Sequence, residues 1–164
     1  MIGVVRIPEE RMKILRRDAK MKDKLENFSN SKIKLTEDVE IETEDPLNMM
    51  RVKEVVKAFG RGFDMEDALN LLDEIFCMQT IEVRDFSGKS RNRMVVLKGR
   101  VIGSEGKTKQ KIERMTETKI AVYGKTIGIV GKYLDVHLAA KAIEMLLSGS
   151  LHNTVYRFLE QQKR

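Results

Sequence analysis

The 164-residue chain is expected to fold as α+β, as two copies of a β-α-α-β-β-α unit, each a three-stranded antiparallel sheet with helices on one face. An internal repeat carries most of that expectation. At an offset of 87 residues, Lys20, Lys22, Lys24, Glu26, Lys32 and Ile33 fall on Lys107, Lys109, Lys111, Glu113, Lys119 and Ile120. Apolar positions agree as well, Leu15 with Ile102, Leu25 with Ile112, Phe28 with Met115 and Leu35 with Val122. The order of short β-branched runs and longer amphipathic runs within each copy supplies the second observation.

In the first copy Ile2 to Ile7 is short and β-branched, a strand, and Pro8 with Glu9 and Glu10 opens a helix. A second helix is expected over Lys20 to Phe28. Strands at Lys32 to Leu35 and Val39 to Thr43 flank a turn at Glu37 and Asp38, and a helix runs from Pro46 to about Phe59. Asp64 and Asp67 form a capping pattern ahead of Ala68, Leu71, Leu72 and Ile75. The second copy repeats the order: strand Thr80 to Asp85, helices Asn92 to Ile102 and Lys107 to Thr116, strands Lys119 to Tyr123 and Thr126 to Val130 around Gly124 and Lys125. A helix over Leu134 to Leu147 presents Leu134, Leu138, Ala142 and Met145, and a last helix covers 151–162. The expected domains are therefore 1–78 and 79–164.

Charge separates the copies. Residues 1–82 hold 14 basic and 18 acidic side chains, residues 83–164 hold 17 and 7, a net −4 against +10. A basic half points to a polyanion, because lysine and arginine release condensed counterions when they meet phosphates. The single cysteine, Cys77, allows no intramolecular disulfide and no thiolate cluster, and is expected to be a small buried hydrophobe. His137 and His152 are too few for a histidine-rich metal site; His137 is expected on a helix surface and His152 in a structural place at the start of the last helix. No cofactor is implied. No apolar run is long enough to span a bilayer, and Met1 to Pro8 has no signal-peptide core, so a cytoplasmic protein without a membrane partner is expected.

The chemistry is concentrated in Lys98-Gly99-Arg100-Val101-Ile102-Gly103-Ser104-Glu105-Gly106-Lys107-Thr108-Lys109, between the two consecutive helices of the second copy. Gly103 and Gly106 permit unusual dihedrals and close approach of backbone to a ligand. Gly106 opens a helix whose free N–H groups and dipole favour an anion. Arg100, Lys107, Lys109 and Lys111 bring charge to the same end. Arg100, Val101, Ile102, Gly103, Ser104, Glu105, Gly106, Lys107, Thr108, Lys109 and Lys111 are the candidate RNA-binding residues. Ile120 and Val122 share one face of their strand and Ala121 and Tyr123 the other; either face could meet bases.

Val-Ile-Gly-Ser-Glu-Gly, with Ile112 six residues beyond Gly106 and Thr118-Lys119-Ile120 after it, resembles the GXXG signature of KH domains, whose loop clamps about four nucleotides. The order of elements resembles type I. Tyr123-Gly124-Lys125-Thr126, Ile129-Val130-Gly131, Met145 to Gly149 and His152 to Tyr156, with Gly60-Arg61-Gly62-Phe63 and Ala68 to Leu72, resemble the archaeal two-KH proteins related to the eukaryotic partner of the Nob endonuclease. That resemblance implies single-stranded RNA binding in small-subunit rRNA maturation near the rRNA 3′ end. It also implies the Nob endonuclease and other ribosome-assembly proteins as partners. Two departures are Glu105, an acid within the loop, and Leu151, where the family suggests proline.

The repeat places the first copy's loop at Arg16-Arg17-Asp18-Ala19, with no glycine, so this copy is expected to be a degenerate KH domain. Seven basic residues lie between Arg11 and Lys24, while Glu37 to Asp45 alternates acidic and apolar residues. This copy is expected to dock protein or support its neighbour, which keeps a protein-binding adaptor as the alternative function. A phosphate-loop enzyme is the other alternative, since Gly106-Lys107-Thr108 matches the end of that motif, but Val101 stands where its first glycine belongs. The expectation is a non-enzyme.

Overall fold

Asp45 and Pro46 show how directly this sequence writes its element boundaries: the Asp45 carboxylate accepts the Leu47 N–H at 3.0 Å while Pro46 occupies the first helical position. The computed structural model describes residues 1–162; Lys163 and Arg164, the end of the expected second domain, lie outside the described residues. The chain divides between Phe76 and Cys77, two residues before the expected 78/79 boundary.

The first unit runs β1 (Ile2–Val5), α1 (Glu9–Arg17), α2 (Ala19–Ser29), β2 (Lys32–Leu35), β3 (Val39–Glu42), α3 (Pro46–Gly60) and α4 (Met65–Leu69). β3 lies between β1 and β2 and pairs antiparallel with both, Ile41 facing Gly3 and Ile33. Alternation sends Val39 and Ile41 into a core with Met12, Leu15, Leu25, Val52, Val55 and Phe59, all fully buried or nearly so. Glu40 and Glu42 take the opposite face. The register sets Lys34 and Lys32 beside them, so the expected acidic face is interleaved with lysine. Arg11 fixes the end of α3: its guanidinium donates to the carbonyls of Phe59 and Phe63 at 2.8 and 2.7 Å and lies 4.2 Å over the Phe59 ring.

The second unit runs β4 (Phe76–Glu82), α5 (Arg84–Ser87), α6 (Arg91–Ile102), α7 (Lys107–Thr116), β5 (Lys119–Tyr123), β6 (Thr126–Lys132), α8 (Tyr133–Leu147) and α9 (His152–Gln162). β6 is central, between β4 and β5, and pairs antiparallel with β5. Ile120, Ile127 and Ile129 meet Val101, Ile112, Ile143, Leu146, Val155 and Leu159 in one core. Val122 packs on it too, so Ile120 and Val122 form the inward face of β5.

The offset of 87 extends to hydrogen bonds. Ser29 Oγ donates to the Leu25 carbonyl and pairs with Ser31 Oγ, while Thr116 Oγ1 donates to Ile112 and pairs with Thr118 Oγ1. Each hydroxyl pair lets a small polar side chain close the end of a helix without leaving a buried polar atom unpaired.

Four expectations are corrected. The strand expected from Thr80 to Asp85 starts at Phe76 and ends at Glu82, where Val83 turns the chain into α5. The helix expected to reach Ile75 ends at Leu69, because a 3₁₀ turn over Asn70–Leu72 and an Asp73 carboxylate accepting the Ile75 N–H intervene. Ile75 is consequently exposed, and Cys77, half-buried on β4 rather than fully buried, has its thiol pKa pushed up by desolvation. In α8, Leu134 is 76% exposed, outside the expected stripe's place in the core; Ala142 is buried with Val136, Ala139, Ala140, Ile143, Leu146 and Leu147, and Leu138 and Met145 pack half-buried against them. No helix among the described residues is long and apolar enough to cross a membrane.

Candidate nucleic-acid interface

The loop is built by three consecutive backbone decisions. The Gly103 N–H closes α6 on the Gly99 carbonyl at 2.8 Å, and Gly103 then takes φ +76°. A Cβ there would sit 2.1 Å from Thr108 Oγ1, so only glycine lets the loop fold down on α7. Glu105 and Gly106 follow at φ +57° and +73°, turning the chain into α7. For Glu105 the left-handed backbone costs roughly 1–2 kcal/mol. Nothing lies within 4 Å of the Cβ position of Gly106, so this side of the loop is open. No side chain caps the start of α7.

Around this turn the candidate residues divide into three groups. Ser104, Glu105 and Lys107 are exposed at the tip, and Ile102, Gly103, Gly106, Lys109 and Lys111 are half-buried beside it. Lys107 Nζ is 3.8 Å from Glu105 Oε2, but both side chains are more than three-quarters exposed, and such pairs contribute little. Val101 is fully buried and Thr108 6% exposed, their side chains on the inward side of α6 and in the seat beneath Gly103.

Arg100 is also placed differently from expectation. Its guanidinium donates to the Ser150 carbonyl, and its own carbonyl is hydrogen-bonded by His152 Nε2 at 2.9 Å. The two bonds tie the last turn of α6 to the start of α9. His152 is thus structural and opens the last helix; His137 is exposed on α8. Lys109 pairs with Glu113 at 3.5 Å, and the Lys111 ammonium lies 4.1 Å from the centroid of the Tyr156 ring. Tyr156 is the site neighbour that sequence reasoning missed. Its one signal was the four-residue spacing from His152, which puts both rings on one face of α9, 6.4 Å apart. Lys98 Nζ donates to the Gly124 carbonyl at 2.7 Å, fastening α6 to the β5–β6 turn.

The corresponding segment of the first unit has a different conformation. α1 continues through Arg17, and Asp18 alone separates it from α2. The Asp18 carboxylate accepts the Lys20 and Met21 N–H groups at 3.1 and 3.3 Å. The helix start that is uncapped in α7 is filled in α2 by the chain's own anion.

Residues 77–164, more than half of the chain, match the family described as the eukaryotic type KH-domain (KH-domain type I). The chain belongs to this family. In KH terms Gly103–Gly106 is the GXXG segment, and α6 and α7 are the helices it joins. The chain is 35% identical to a KH domain-containing protein of Methanocaldococcus jannaschii, covering 99% of this chain and 74% of that one. It is 33% identical to the pre-rRNA-processing protein PNO1 of Saccharomyces cerevisiae over 70% of its length, and spans only 42% of that relative. The other eukaryotic relatives it matches are likewise spanned to about half their length. Among solved structures, a chain of the a/eIF2alpha–aDim2p–rRNA complex of Pyrococcus horikoshii OT3 superposes with a TM-score of 0.89 at 36% identity, covering 99% of this chain and 94% of that one.

Among the described residues, no three His, Cys, Asp or Glu side chains gather as a metal site. The KH loop offers instead backbone N–H groups at a helix start, an open glycine and lysines on one helix, a donor set that suits a sugar-phosphate backbone.

Proposed function

We propose that this chain is a non-enzymatic, single-stranded RNA-binding protein acting in small-subunit rRNA maturation, built from two tandem KH domains of which the second grips RNA. The observation that carries the reading is the contrast at the two equivalent helix starts. α7 begins uncapped behind an open Gly106, whereas α2 begins under the Asp18 carboxylate. A phosphate can occupy the first position and is repelled from the second. The equivalent order of elements and the equivalent serine and threonine pairs support reading the first unit as a KH domain without its GXXG.

Placement in rRNA maturation is supported by the pre-rRNA-processing name of the yeast relative and by the likeness to a chain of the Pyrococcus aDim2p–rRNA complex. Action near the rRNA 3′ end and partnership with a Nob-type endonuclease extend the family resemblance. Ser104, Glu105, Gly106 and Lys107 are the proposed backbone contacts, with Ile102, Gly103, Lys109 and Lys111 flanking them.

The test replaces Ser104 and Glu105 together with Asp. Both side chains are exposed and neither supports the core, so the fold should survive by circular dichroism. Affinity for a short single-stranded RNA should fall at least tenfold, and a folded variant that binds like wild type would sink the reading.

A further inference from the structure

Lys24 and Lys111 occupy the same position in the two units, 87 residues apart, and each is met by the helix that trails its unit. In the first unit Lys24 Nζ donates to Glu66 Oε1 of α4 at 2.9 Å. In the second, the Lys111 ammonium rests 4.1 Å from the centroid of the Tyr156 ring of α9. A carboxylate cancels the charge it holds, whereas an aromatic face attracts a cation and leaves its full charge to act on other groups. No carboxylate among the described residues is ion-paired with Lys111.

We propose that Tyr156 is a positioning residue for RNA binding, holding the Lys111 ammonium one turn below Lys107 with its charge available to a phosphate. This rests on the RNA reading of the Gly103–Gly106 loop. Lys107 and Lys111 are four residues apart and so lie on one face of α7, descending from the loop. The ring is not held in place by the lysine. His152 and Arg100 pin the start of α9 to α6, and Val155 and Leu159 are buried to completion, so α9 stays seated when the side chain at 156 changes. The first unit makes the complementary choice at both places: Asp18 fills the helix start and Glu66 neutralises the lysine.

The experiment measures binding of a short single-stranded RNA from the small-subunit rRNA 3′ end across a range of salt, with fold checked by circular dichroism. Tyr156→Glu imports the Lys24–Glu66 arrangement. It should weaken binding about three- to tenfold at low salt and flatten the plot of log affinity against log salt by about 0.7, the contribution of one phosphate contact on a single strand. Lys111→Met should do the same, and the double variant should flatten the slope no further. Tyr156→Phe keeps the ring and should bind like wild type. A folded Tyr156→Glu with wild-type affinity and slope overturns the proposal, as does a double variant whose slope losses add. Failure of the underlying reading looks different. If replacing Ser104 and Glu105 with Asp leaves binding unchanged, the loop assignment falls; if binding depends on the loop while Lys111→Met keeps the wild-type slope, only the role of Tyr156 falls.

Discussion

The Glu113 carboxylate accepts the backbone N–H of Ile120 at 2.9 Å, tying α7 to the first residues of β5. Its other oxygen faces Lys109. Glu26 makes the same bond to Ile33 at 2.9 Å and faces Lys22 at 3.8 Å. A strand-edge N–H that would otherwise need water is satisfied in both units by a glutamate from the preceding helix, and that sets how the helix sits on the sheet. Glu113→Ala should therefore cost about 1.5–3 kcal/mol in chemical denaturation, the range for a hydrogen bond to a charged acceptor, and Glu113→Gln less, because an amide oxygen can still accept. A loss below about 0.5 kcal/mol for the alanine variant would show that water replaces the carboxylate.

The two loop glycines should respond differently to substitution. Both have positive φ, so alanine strains either backbone by about 1 kcal/mol. At Gly103 the added Cβ also collides with Thr108, which is buried on the core side of α7 and cannot yield. Gly103→Ala should lower the melting temperature more than Gly106→Ala does. Gly106→Ala should act mainly on RNA affinity, by closing the open side of the loop.

The repeat made most of this fold readable, because charge, apolar pattern and turn residues recur together. Lys119 to Tyr123 and the Gly124-Lys125 turn appear as read. The failures have physical causes. α8 is apolar at most positions from Leu138 to Leu147, so more than one stripe fits its sequence; the expected one keeps Ala142 in the core, with Leu138 and Met145 at its margin, and only Leu134 points outward. The N-terminal half of β4, Phe76 to Gln79, lacks β-branched residues and follows a helix-like apolar run, which hid the strand's start. The chemistry of Arg100 was legible only as charge. Its bond to Ser150 joins residues 50 apart, which no local pattern reports.

Arg100 accordingly predicts an unusual result for a basic residue beside the proposed RNA-binding loop. Arg100→Met removes the charge-assisted bond to Ser150, leaving the His152 bond to the backbone carbonyl as the remaining tie between α6 and α9, and should destabilise the protein by about 1.5–3 kcal/mol. At temperatures where the variant is folded, its salt dependence of RNA binding should match wild type. A slope lowered by about 0.7 would show that Arg100 leaves Ser150 for a phosphate.

Asp18 provides the reciprocal experiment in the first unit. Asp18→Ala strips the cap from α2, leaving the Lys20 and Met21 N–H groups to water, and should cost about 1 kcal/mol in stability. Asp18→Asn keeps an acceptor and should cost less. Neither change should create GXXG-like RNA binding, because α1 remains helical through Arg17 and no glycine opens the turn.

Glu105 is the acid in an otherwise basic loop, more than three-quarters exposed, with its nearest charge partner Lys107 at 3.8 Å. Its carboxylate stands among the proposed backbone contacts, where it repels phosphate and shares the charge of Lys107. Glu105→Gln removes both effects while keeping the side chain's size and leaving the left-handed backbone as it is. RNA affinity should rise about two- to fivefold at low ionic strength, and the gain should shrink as salt shortens the Debye length to below about 8 Å. Stability should change little, since an exposed pair of this length contributes at most a few tenths of a kcal/mol. A gain that persists undiminished at high salt would mean that the glutamate obstructs RNA by shape rather than by charge; unchanged affinity at low salt would place the RNA backbone away from the loop tip.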